Sequence, residues 1–274
     1  MWDSAILQIW RITGGIPVNQ ETVTLKIPGL TRTYTFFHTS DTHVVLGPET
    51  EQDANAHANA LLDAIHTADE AAADGIFLCG DIGDYFTKET IRFIRETLQE
   101  SKTEVFYVMG NHECTGAEDV GAAKKEFADM MFGNHAFWAR DLGELLIVGL
   151  DNSGKVYTEE QFAFLNEQIA KNKPILLLMH APLWTEAIEA PVVAMWNEEM
   201  QGQECYYFLI EKNKNPENCR RRFWDLVQNP DNHIEAIFAG HIHLSNDSEY
   251  APGHRQYTMD PTYTGKIRKV IVTG

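Results

Sequence analysis

The chain has 274 residues, of which 44% are hydrophobic and 23% are charged, so it is long enough for one large α/β domain or two small ones and too apolar to be disordered. Its 22 Lys and Arg against 40 Asp and Glu give a net charge of −18, which disfavours tight binding to nucleic acid or to an anionic membrane. The longest strictly apolar runs, such as residues 175–179, are far shorter than the ~20 residues of a transmembrane helix. A phosphorylated substrate stays compatible with this charge where metal ions supply local positive charge.

The predicted elements begin with two strands. Apolar and polar residues alternate over 22–27, and a short apolar run covers 34–37. From residue 51 onward, amphipathic helices alternate with buried strands. Helices are predicted over 51–73, around 91–98, over 116–131 and behind a capping box at 158–161, and strands over 76–79, 105–109, 145–150, 175–179 and 236–239. This alternation indicates a layered α/β fold.

Residues 184–232 interrupt the alternation and are rich in aromatic side chains, including Trp184, Trp196, Trp224 and the run 206–208. Because both ends connect directly to predicted core strands, we interpret this segment as an insertion within a single domain over residues 1–274. Its aromatic residues are compatible with a pocket wall, with a small core of the insertion, or with a dimer contact. Within it, residues 220–222 are three arginines that open a predicted helix and are interpreted as a solvated face. The tail over 244–274 is predicted to hold loops and closing strands.

Polar side chains follow five of the predicted strands, at the point where each strand ends. In α/β sheets this carboxyl edge is where ligands bind. Imidazole nitrogens together with carboxylate and amide oxygens are ligands for Mn, Fe, Zn or Co, and the absence of cysteine from the set argues against a thiolate site. Glycines at 80, 110 and 240 are expected to let the backbone turn tightly there. The five segments are Asp41-Thr42-His43, Gly80-Asp81-Ile82-Gly83-Asp84, Gly110-Asn111-His112-Glu113, His180 and Gly240-His241-Ile242-His243.

In this order, the five segments resemble the motifs of the calcineurin-like metallophosphoesterase superfamily, over residues 41–243. The resemblance implies a four-layer α/β/β/α sandwich with two mixed β-sheets and a dinuclear site at one edge, with the 184–232 insertion near that edge. It also implies two divalent metal ions, with Mn, Fe or Zn as the expected elements. Matched position by position, Asp41, His43, Asp81 and His243 hold the first ion, while Asp81, Asn111, His180 and His241 hold the second, so that Asp81 is shared.

The resemblance also implies two catalytic residues that bind no metal. His112 matches the histidine that faces the phosphate and either stabilises charge or protonates the leaving group. Asp84 matches the carboxylate that orients this histidine. Glu113 is assigned either a supporting role behind the ligands or a surface role. His57 and His66 lie on the predicted helix over 51–73 and are predicted to be solvated.

Departures from the family's motifs disfavour some branches of the superfamily. Asp84 is followed by Tyr85 rather than by the Arg-Gly of Ser/Thr protein phosphatases, which disfavours that branch. Purple acid phosphatases carry tyrosine at the position of Asp84 and no histidine at that of His43, so they are disfavoured as well. Many small-molecule phosphodiesterases of the superfamily carry a second histidine where this chain has Ala181, so cyclic-nucleotide specificity does not transfer directly.

The sequence therefore predicts a metallophosphoesterase that hydrolyses phosphomonoester or phosphodiester bonds of a small molecule, by in-line attack of a metal-bridging hydroxide. Three alternatives stay open: a nuclease of the same superfamily, a catalytically silent protein-binding scaffold, and a regulatory module that binds metal or nucleotide without turnover. A small phosphate ester is the expected partner, and neither nucleic acid nor membrane is expected. The substrate, the metal pair and the oligomeric state stay open.

The expected location is the cytoplasm. The four cysteines at positions 79, 114, 205 and 219 form no CxxC pair, which is typical of reduced intracellular thiols. The start of the chain, Met-Trp-Asp-Ser, has no basic segment before an apolar stretch and therefore no sign of a signal peptide. A protein whose leader had been removed would look the same.

Overall fold

The computed structural model describes residues 18–46, 54–200, 215 and 217–274, and within them eleven strands form two mixed β-sheets. The five-stranded sheet has the spatial order β1 (Asn19–Lys26), β11 (Lys266–Thr273), β2 (Tyr34–Thr39), β3 (Gly75–Cys79) and β4 (Val105–Val108). The six-stranded sheet has the order β5 (Phe137–Asp141), β6 (Leu146–Leu150), β7 (Ile175–Leu178), β8 (Ile234–Phe238), β10 (His254–Thr258) and β9 (Asn246–Ala251).

Parallel pairing at the centre of each sheet directs the site-bearing strand ends to one edge. Strands β2, β3 and β4 are mutually parallel, and so are β6, β7, β8 and β10. The antiparallel pairs are β11 on β2, β5 on β6 and β9 on β10. Six α-helices accompany these sheets in the described part of the chain: α1 (Ala54–Glu70), α2 (Lys88–Glu100), α3 (Val120–Glu126), α4 (Glu159–Ile169), α5 (Glu186–Met200) and α6 (Cys219–Val227).

Strand β7 shows how the layers stack, because its side chains alternate between two apolar clusters. Leu176 and Leu178 join a cluster that also contains Phe77 of β3 and Phe238 of β8, whose rings lie 5.0 Å apart between the two sheets. Ile175 and Leu177 belong to a second cluster, on the outer side of the six-stranded sheet. A strand that is buried on both faces belongs to an interior layer. The fold is thus the four-layer α/β/β/α sandwich that was expected.

The outer helices complete the sandwich. Leu61 and Ile65 of α1 are buried in the cluster that contains the five-stranded sheet. Phe162 of α4 and Phe223 of α6 are buried in the second cluster. The predicted capping box of α4 is present, with the Thr158 hydroxyl and the Gln161 side chain each bonding the other's backbone.

Two predicted elements need correction. The helix predicted over 116–131 is confined to α3 and a 3₁₀ turn over Ala128–Met130. Asp119 caps α3 by accepting a hydrogen bond from the Ala122 backbone N–H, so the helix cannot begin earlier. Strand β5 was not predicted, because its run Phe-Trp-Ala-Arg-Asp is short and lacks apolar–polar alternation. The other strands with predicted positions lie within one or two residues of them, except that β1 begins three residues earlier.

Some predictions fall outside the described residues. These are the start of the helix at 51, the aromatic run at 206–208 and Cys205. Cys79, Cys114 and Cys219 are free thiols. The insertion over 184–232 stays a prediction, and its described parts contribute α5 and α6. Among the described residues, no helix combines the length and the apolarity that are needed to cross a membrane.

Candidate metal centre

The five polar segments meet at one edge of the sandwich. The turns after β2, β3 and β4 of the five-stranded sheet supply six of the nine predicted residues, and the turns after β7 and β8 of the six-stranded sheet supply the other three. The centre therefore lies where the two sheets adjoin. The first sheet contributes Asp41, His43, Asp81, Asp84, Asn111 and His112, and the second contributes His180, His241 and His243.

One group of possible ligands combines Asp41, His43 and His243, whose donor atoms all lie within 4.8 Å of one another. The Nε2 atoms of His43 and His243 are 3.0 Å apart, and His243 Nε2 is 3.4 Å from Asp41 Oδ1. Asp41 is fully buried and accepts hydrogen bonds from the Ser40 hydroxyl and from the backbone N–H of His241. Its carboxylate is thus fixed in orientation toward the two imidazoles.

A second group combines Asp81, His180 and His241, again with donor atoms within 4.8 Å. His180 Nε2 lies 3.2 Å from Asp81 Oδ2, 3.1 Å from His241 Nδ1 and 3.1 Å from Asn111 Oδ1. The other ring nitrogen of His180, Nδ1, donates to the Cys79 carbonyl oxygen at 2.8 Å. This bond requires a proton on Nδ1 and leaves Nε2 as the nitrogen that faces the cluster, which is the usual arrangement for a metal-binding histidine.

Asp84 joins His43 and His112 through a single carboxylate oxygen. Asp84 Oδ1 is 2.9 Å from His43 Nδ1 and 2.7 Å from His112 Nδ1. Burial alone would raise the pKa of Asp84, but the contacts with the imidazoles of His112 and His43 lower it. The same contact is the main cause that raises the pKa of His112. The sequence predicted that Asp84 orients His112, and its equal contact with the ligand candidate His43 was not predicted.

The backbone at the site is strained in a consistent way. Asp41, His43, Asp81, His241 and His243 all have φ between +52° and +70°, in the left-handed region. This conformation costs a residue other than glycine about 1–2 kcal/mol and persists only where surrounding contacts enforce it. Five of the nine predicted site residues share this conformation. The turns therefore adopt the geometry of the site at a local energetic cost.

Gly110 and Gly240 allow the turns to touch. A Cβ atom on Gly110 would lie 2.1 Å from Asp81 Oδ1, and one on Gly240 would lie 2.4 Å from Asp41 Oδ2. Both distances are far below van der Waals contact, so any side chain at either position would displace a carboxylate of the site. Gly110 and Gly240 thus lie where one turn of the site is in direct contact with another.

We expect Gly110→Ala to lower the metal content and to destabilise the protein by about 1–3 kcal/mol, the usual cost of overpacking. Elemental analysis and a thermal melt measure the two effects. Gly154→Ala is the matched control, because its Cβ would meet only Val156 Cγ2 at 3.6 Å. Equal metal content in the two variants would show that Asp81 has room to move.

The electrostatics of the site favour a cation. Burial would raise the pKa of Asp41 and Asp81, but the neighbouring histidines lower both to about 2, so both carboxylates are ionised. Burial would lower the pKa of His180, yet Asp81 and Asp41 raise it to about 10. Buried carboxylates that draw protons so strongly onto an imidazole form a negative pocket. Nitrogen and oxygen donors in such a pocket fit divalent Mn, Fe or Zn.

Two residues support the site from behind, and the sequence did not predict the role of the first. His57 was predicted to be solvated, and this is wrong: its Nδ1 lies 2.8 and 2.9 Å from the carbonyl oxygens of Thr42 and His43, and its ring stacks on Tyr263 at 4.4 Å. His66, by contrast, is confirmed as exposed and pairs with Glu70. No signal in the sequence distinguishes these two histidines of α1.

Glu113 is the other support. It is fully buried and accepts hydrogen bonds from the backbone N–H groups of Ile82 and Gly110 and from the Tyr107 hydroxyl. Burial, together with repulsion by Asp81, raises the pKa of Glu113 to about 8. Its carboxyl group therefore fastens the turn after β3 to the turn after β4, which decides between the two roles that the sequence left open.

One aromatic residue of the predicted insertion reaches the site. The Trp196 ring lies 5.3 Å from that of His243, and its Nε1–H donates to the Ile242 carbonyl oxygen at 2.9 Å. Trp224 is buried in the second apolar cluster. These two residues therefore have different environments, one beside the site and one in the core.

The sandwich and its edge of histidines and carboxylates are those of a metallophosphoesterase. The family model for calcineurin-like phosphoesterases matches residues 34–245. The chain therefore belongs to the calcineurin-like phosphoesterase family, whose members are phosphoric-ester hydrolases.

Two individual proteins illustrate the likeness. A probable cyclic nucleotide phosphodiesterase of Fibrobacter succinogenes is 25% identical over 146 residues, which cover 52% of this chain and 55% of that protein. The match thus spans about half the length of that relative. The crystal structure of a dimetal phosphatase from Danio rerio superposes with a TM-score of 0.50 at 13% identity, covering 84% of this chain and 88% of that one. At this identity, the superposition shows a shared fold.

Proposed function

We propose that this protein is a dinuclear metal-dependent hydrolase of phosphate mono- or diesters of a small molecule. The observation that carries the proposal is the juxtaposition of the two ligand groups, around Asp41 and around Asp81, at one edge of the sandwich. All seven predicted ligand residues lie in or beside these groups. A protein-binding scaffold without catalytic activity would not need these ligand side chains to lie together.

The residues would hold the ions in two sites. Asp41, His43 and His243 would bind one ion, and His180, His241 and Asn111 the other, with Asp81 between them. Bound divalent ions would polarise a phosphoryl oxygen and lower the pKa of a water molecule toward ~7, so that hydroxide is available at neutral pH. The chain's own part is to hold the donors in position.

His112 is proposed as the residue that serves the leaving group. Its side chain is 39% exposed, which makes it accessible to a substrate, while Asp84 holds Nδ1 at 2.7 Å. Asp84 also raises the pKa of His112, so a larger fraction of the imidazole is protonated near neutral pH. Nε2–H is then directed away from Asp84 and can donate a proton or a hydrogen bond to an ester oxygen.

A small substrate agrees with the charge of the chain. A nuclease needs a basic groove along the nucleic-acid backbone, and the net charge of −18 opposes one. Ala181 stands where many small-molecule phosphodiesterases have a second histidine, so the cyclic-nucleotide substrate named for the Fibrobacter relative is not assigned to this chain.

Activity on simple phosphate esters tests the proposed function. Protein loaded with Mn²⁺ should hydrolyse bis(p-nitrophenyl) phosphate or p-nitrophenyl phosphate faster than the same protein after chelation, and faster than it hydrolyses single-stranded DNA. Absence of turnover on both esters, with metal bound, would favour the scaffold or the regulatory module. Faster cleavage of DNA would favour the nuclease.

Metal content tests the dinuclear assignment separately. We expect close to two divalent ions per chain, because seven donor residues with one shared carboxylate exceed what a single tetrahedral site uses. Elemental analysis of protein purified without chelators provides the measurement. A plateau at one ion under metal-replete conditions contradicts this assignment.

A further inference from the structure

A lysine near the metal centre belongs to none of the five motif segments. Lys155 lies in residues 151–158, the connection from β6 to α4, which we term the lysine loop. Its side chain is half-buried, and its φ is +55°, a left-handed conformation that is unfavourable for lysine. Backbone strain of this kind concentrates at functional sites.

Hydrogen bonds tie the lysine loop to the turn that carries His180. Asn152 Oδ1 accepts from the backbone N–H groups of His180 and Ala181, at 2.9 and 3.0 Å, and its Nδ2 donates to the Ala181 carbonyl oxygen at 2.8 Å. The Lys155 N–H in turn donates to the Asn152 carbonyl oxygen at 2.7 Å. The position of Lys155 is therefore set by the same buried asparagine that supports a ligand candidate.

A second cation lies beside Lys155. Arg220, in the first turn of α6, donates from Nε to the Lys155 carbonyl oxygen at 2.7 Å. Its neighbours behave as a surface face, as predicted, since Arg221 pairs with Asp225 and Arg222 with Glu159. Arg220 departs from that prediction, because it turns toward the lysine loop.

Electrostatic effects link this pair to the second ligand group. Burial and the charge of Arg220 lower the pKa of Lys155 to about 8, while Asp81 opposes them. The ammonium group is thus within electrostatic range of Asp81. Two like charges brought together beside buried ligands form a positive spot in a strongly acidic protein, and such a spot suits an anion.

We propose that Lys155 and Arg220 bind a second phosphate group of the substrate, adjacent to the phosphoryl group at the metal centre. The substrate class is then a diphosphate ester. This inference rests on the proposed function and names its substrate. A phosphate suits the pair because the guanidinium of Arg220 carries further N–H donors on its terminal nitrogens, in a planar array that matches phosphate oxygens, and Lys155 adds a compact point charge.

The reaction balances without any further reactant. A water oxygen forms a bond to one phosphorus, the bridging P–O bond breaks, and the bridging oxygen leaves with the second phosphate. A diphosphate that is esterified at both ends gives two phosphomonoesters, and one esterified at a single end gives a phosphomonoester and inorganic phosphate. The protons of the water pass to solvent or to product oxygens. The electron pair of the broken bond adds negative charge to the departing phosphate, where Lys155 and Arg220 would neutralise it.

A binding comparison tests the inference without turnover. The probes are α,β-methylene-ADP, whose methylene bridge resists hydrolysis, and AMP, which has one phosphate. With Mn²⁺-loaded protein in a calorimeter, we expect the wild type to bind α,β-methylene-ADP about tenfold or more tightly than AMP, the effect of charge-assisted hydrogen bonds to one additional group. Lys155→Gln and Arg220→Gln should reduce that ratio toward one, and Lys155→Arg should retain most of it.

Two controls remove a positive charge elsewhere. Arg221→Gln changes the same helix and Lys173→Gln breaks a pair with Asp141, and both should keep the wild-type ratio. A ratio near one in the wild type, or an unchanged ratio in both Lys155→Gln and Arg220→Gln, overturns the inference. If one of these variants fails to fold in a thermal melt, the other carries the test. Hydrolysis of bis(p-nitrophenyl) phosphate, measured in parallel, shows independently whether the proposed function holds.

Discussion

Asp81→Asn is expected to abolish most metal binding and to lower the rate by more than about 100-fold, the upper range for losing an outer-shell partner of a metal ligand. Asp81 Oδ2 faces His180 Nε2 at 3.2 Å, and Oδ1 accepts from the His112 backbone N–H at 2.8 Å. Asparagine keeps the shape of the aspartate side chain but removes its negative charge. Its NH₂ group would lie against either the His180 imidazole or the His112 backbone N–H. Elemental analysis and initial rates on p-nitrophenyl esters measure the two losses.

Asn111→Ala provides the comparison for this variant. Asn111 Oδ1 contacts His180 Nε2 in the second ligand group, so its loss should weaken one ion more than the other. We expect a partial loss of metal and a smaller fall in rate than for Asp81→Asn. Near-native activity in Asp81→Asn would mean that another group joins the two ions.

His112→Ala is expected to leave metal content almost unchanged while the rate falls by roughly 10²- to 10⁴-fold on esters with poor leaving groups, which is the range for a positioned general acid. An alkoxide is a strong base and needs a proton as the P–O bond breaks, whereas nitrophenolate leaves without one. The loss should therefore be much larger on alkyl phosphates than on nitrophenyl phosphates. Rates on a matched pair of such esters provide the measurement.

The pattern of the losses separates two roles of His112. Equal losses on both esters would indicate that the imidazole stabilises the phosphoryl oxygens, which both substrates share. Asp84→Asn should show the same leaving-group trend more weakly. Because Asp84 also contacts His43 at 2.9 Å, the metal content of the Asp84→Asn variant has to be measured as well. Loss of an ion in His112→Ala would contradict the assignment of His112 as a residue that binds no metal.

The order of most elements, and the gathering of the polar segments at one edge of the sandwich, could be predicted from the sequence because both depend on local patterns. Apolar runs of four to six residues mark the buried strands, and a polar segment of the site follows five of the predicted strands. The left-handed backbone of Asp41 and its partners could not be predicted, because tertiary contacts rather than residue type impose it. The same holds for His57, whose place against Tyr263 depends on a turn more than 200 residues away.

The contact between Lys155 and Arg220 could not be predicted from the sequence either. Its neighbour Arg220 lies 65 residues further along the chain, in a run of three arginines that is indistinguishable from a surface face. Only the register of α6 against the lysine loop separates Arg220 from Arg221. Helical periodicity places the apolar side of α6 on Phe223 and Val227 but does not decide which arginine at its first turn meets another segment.

The position of β11 has a consequence for how the molecule folds. This last strand in chain order lies between β1 and β2, so the five-stranded sheet closes only when the two ends of the described chain meet. Strand β2 ends in the turn of Asp41, whose carboxylate is held by the backbone of His241, 200 residues away. Contacts of such high sequence separation form late and slow folding, because loop-closure entropy is paid before they are gained. The proposed metal centre is therefore complete only after synthesis has passed residue 243, and until then an emerging chain would carry an incomplete set of its donors.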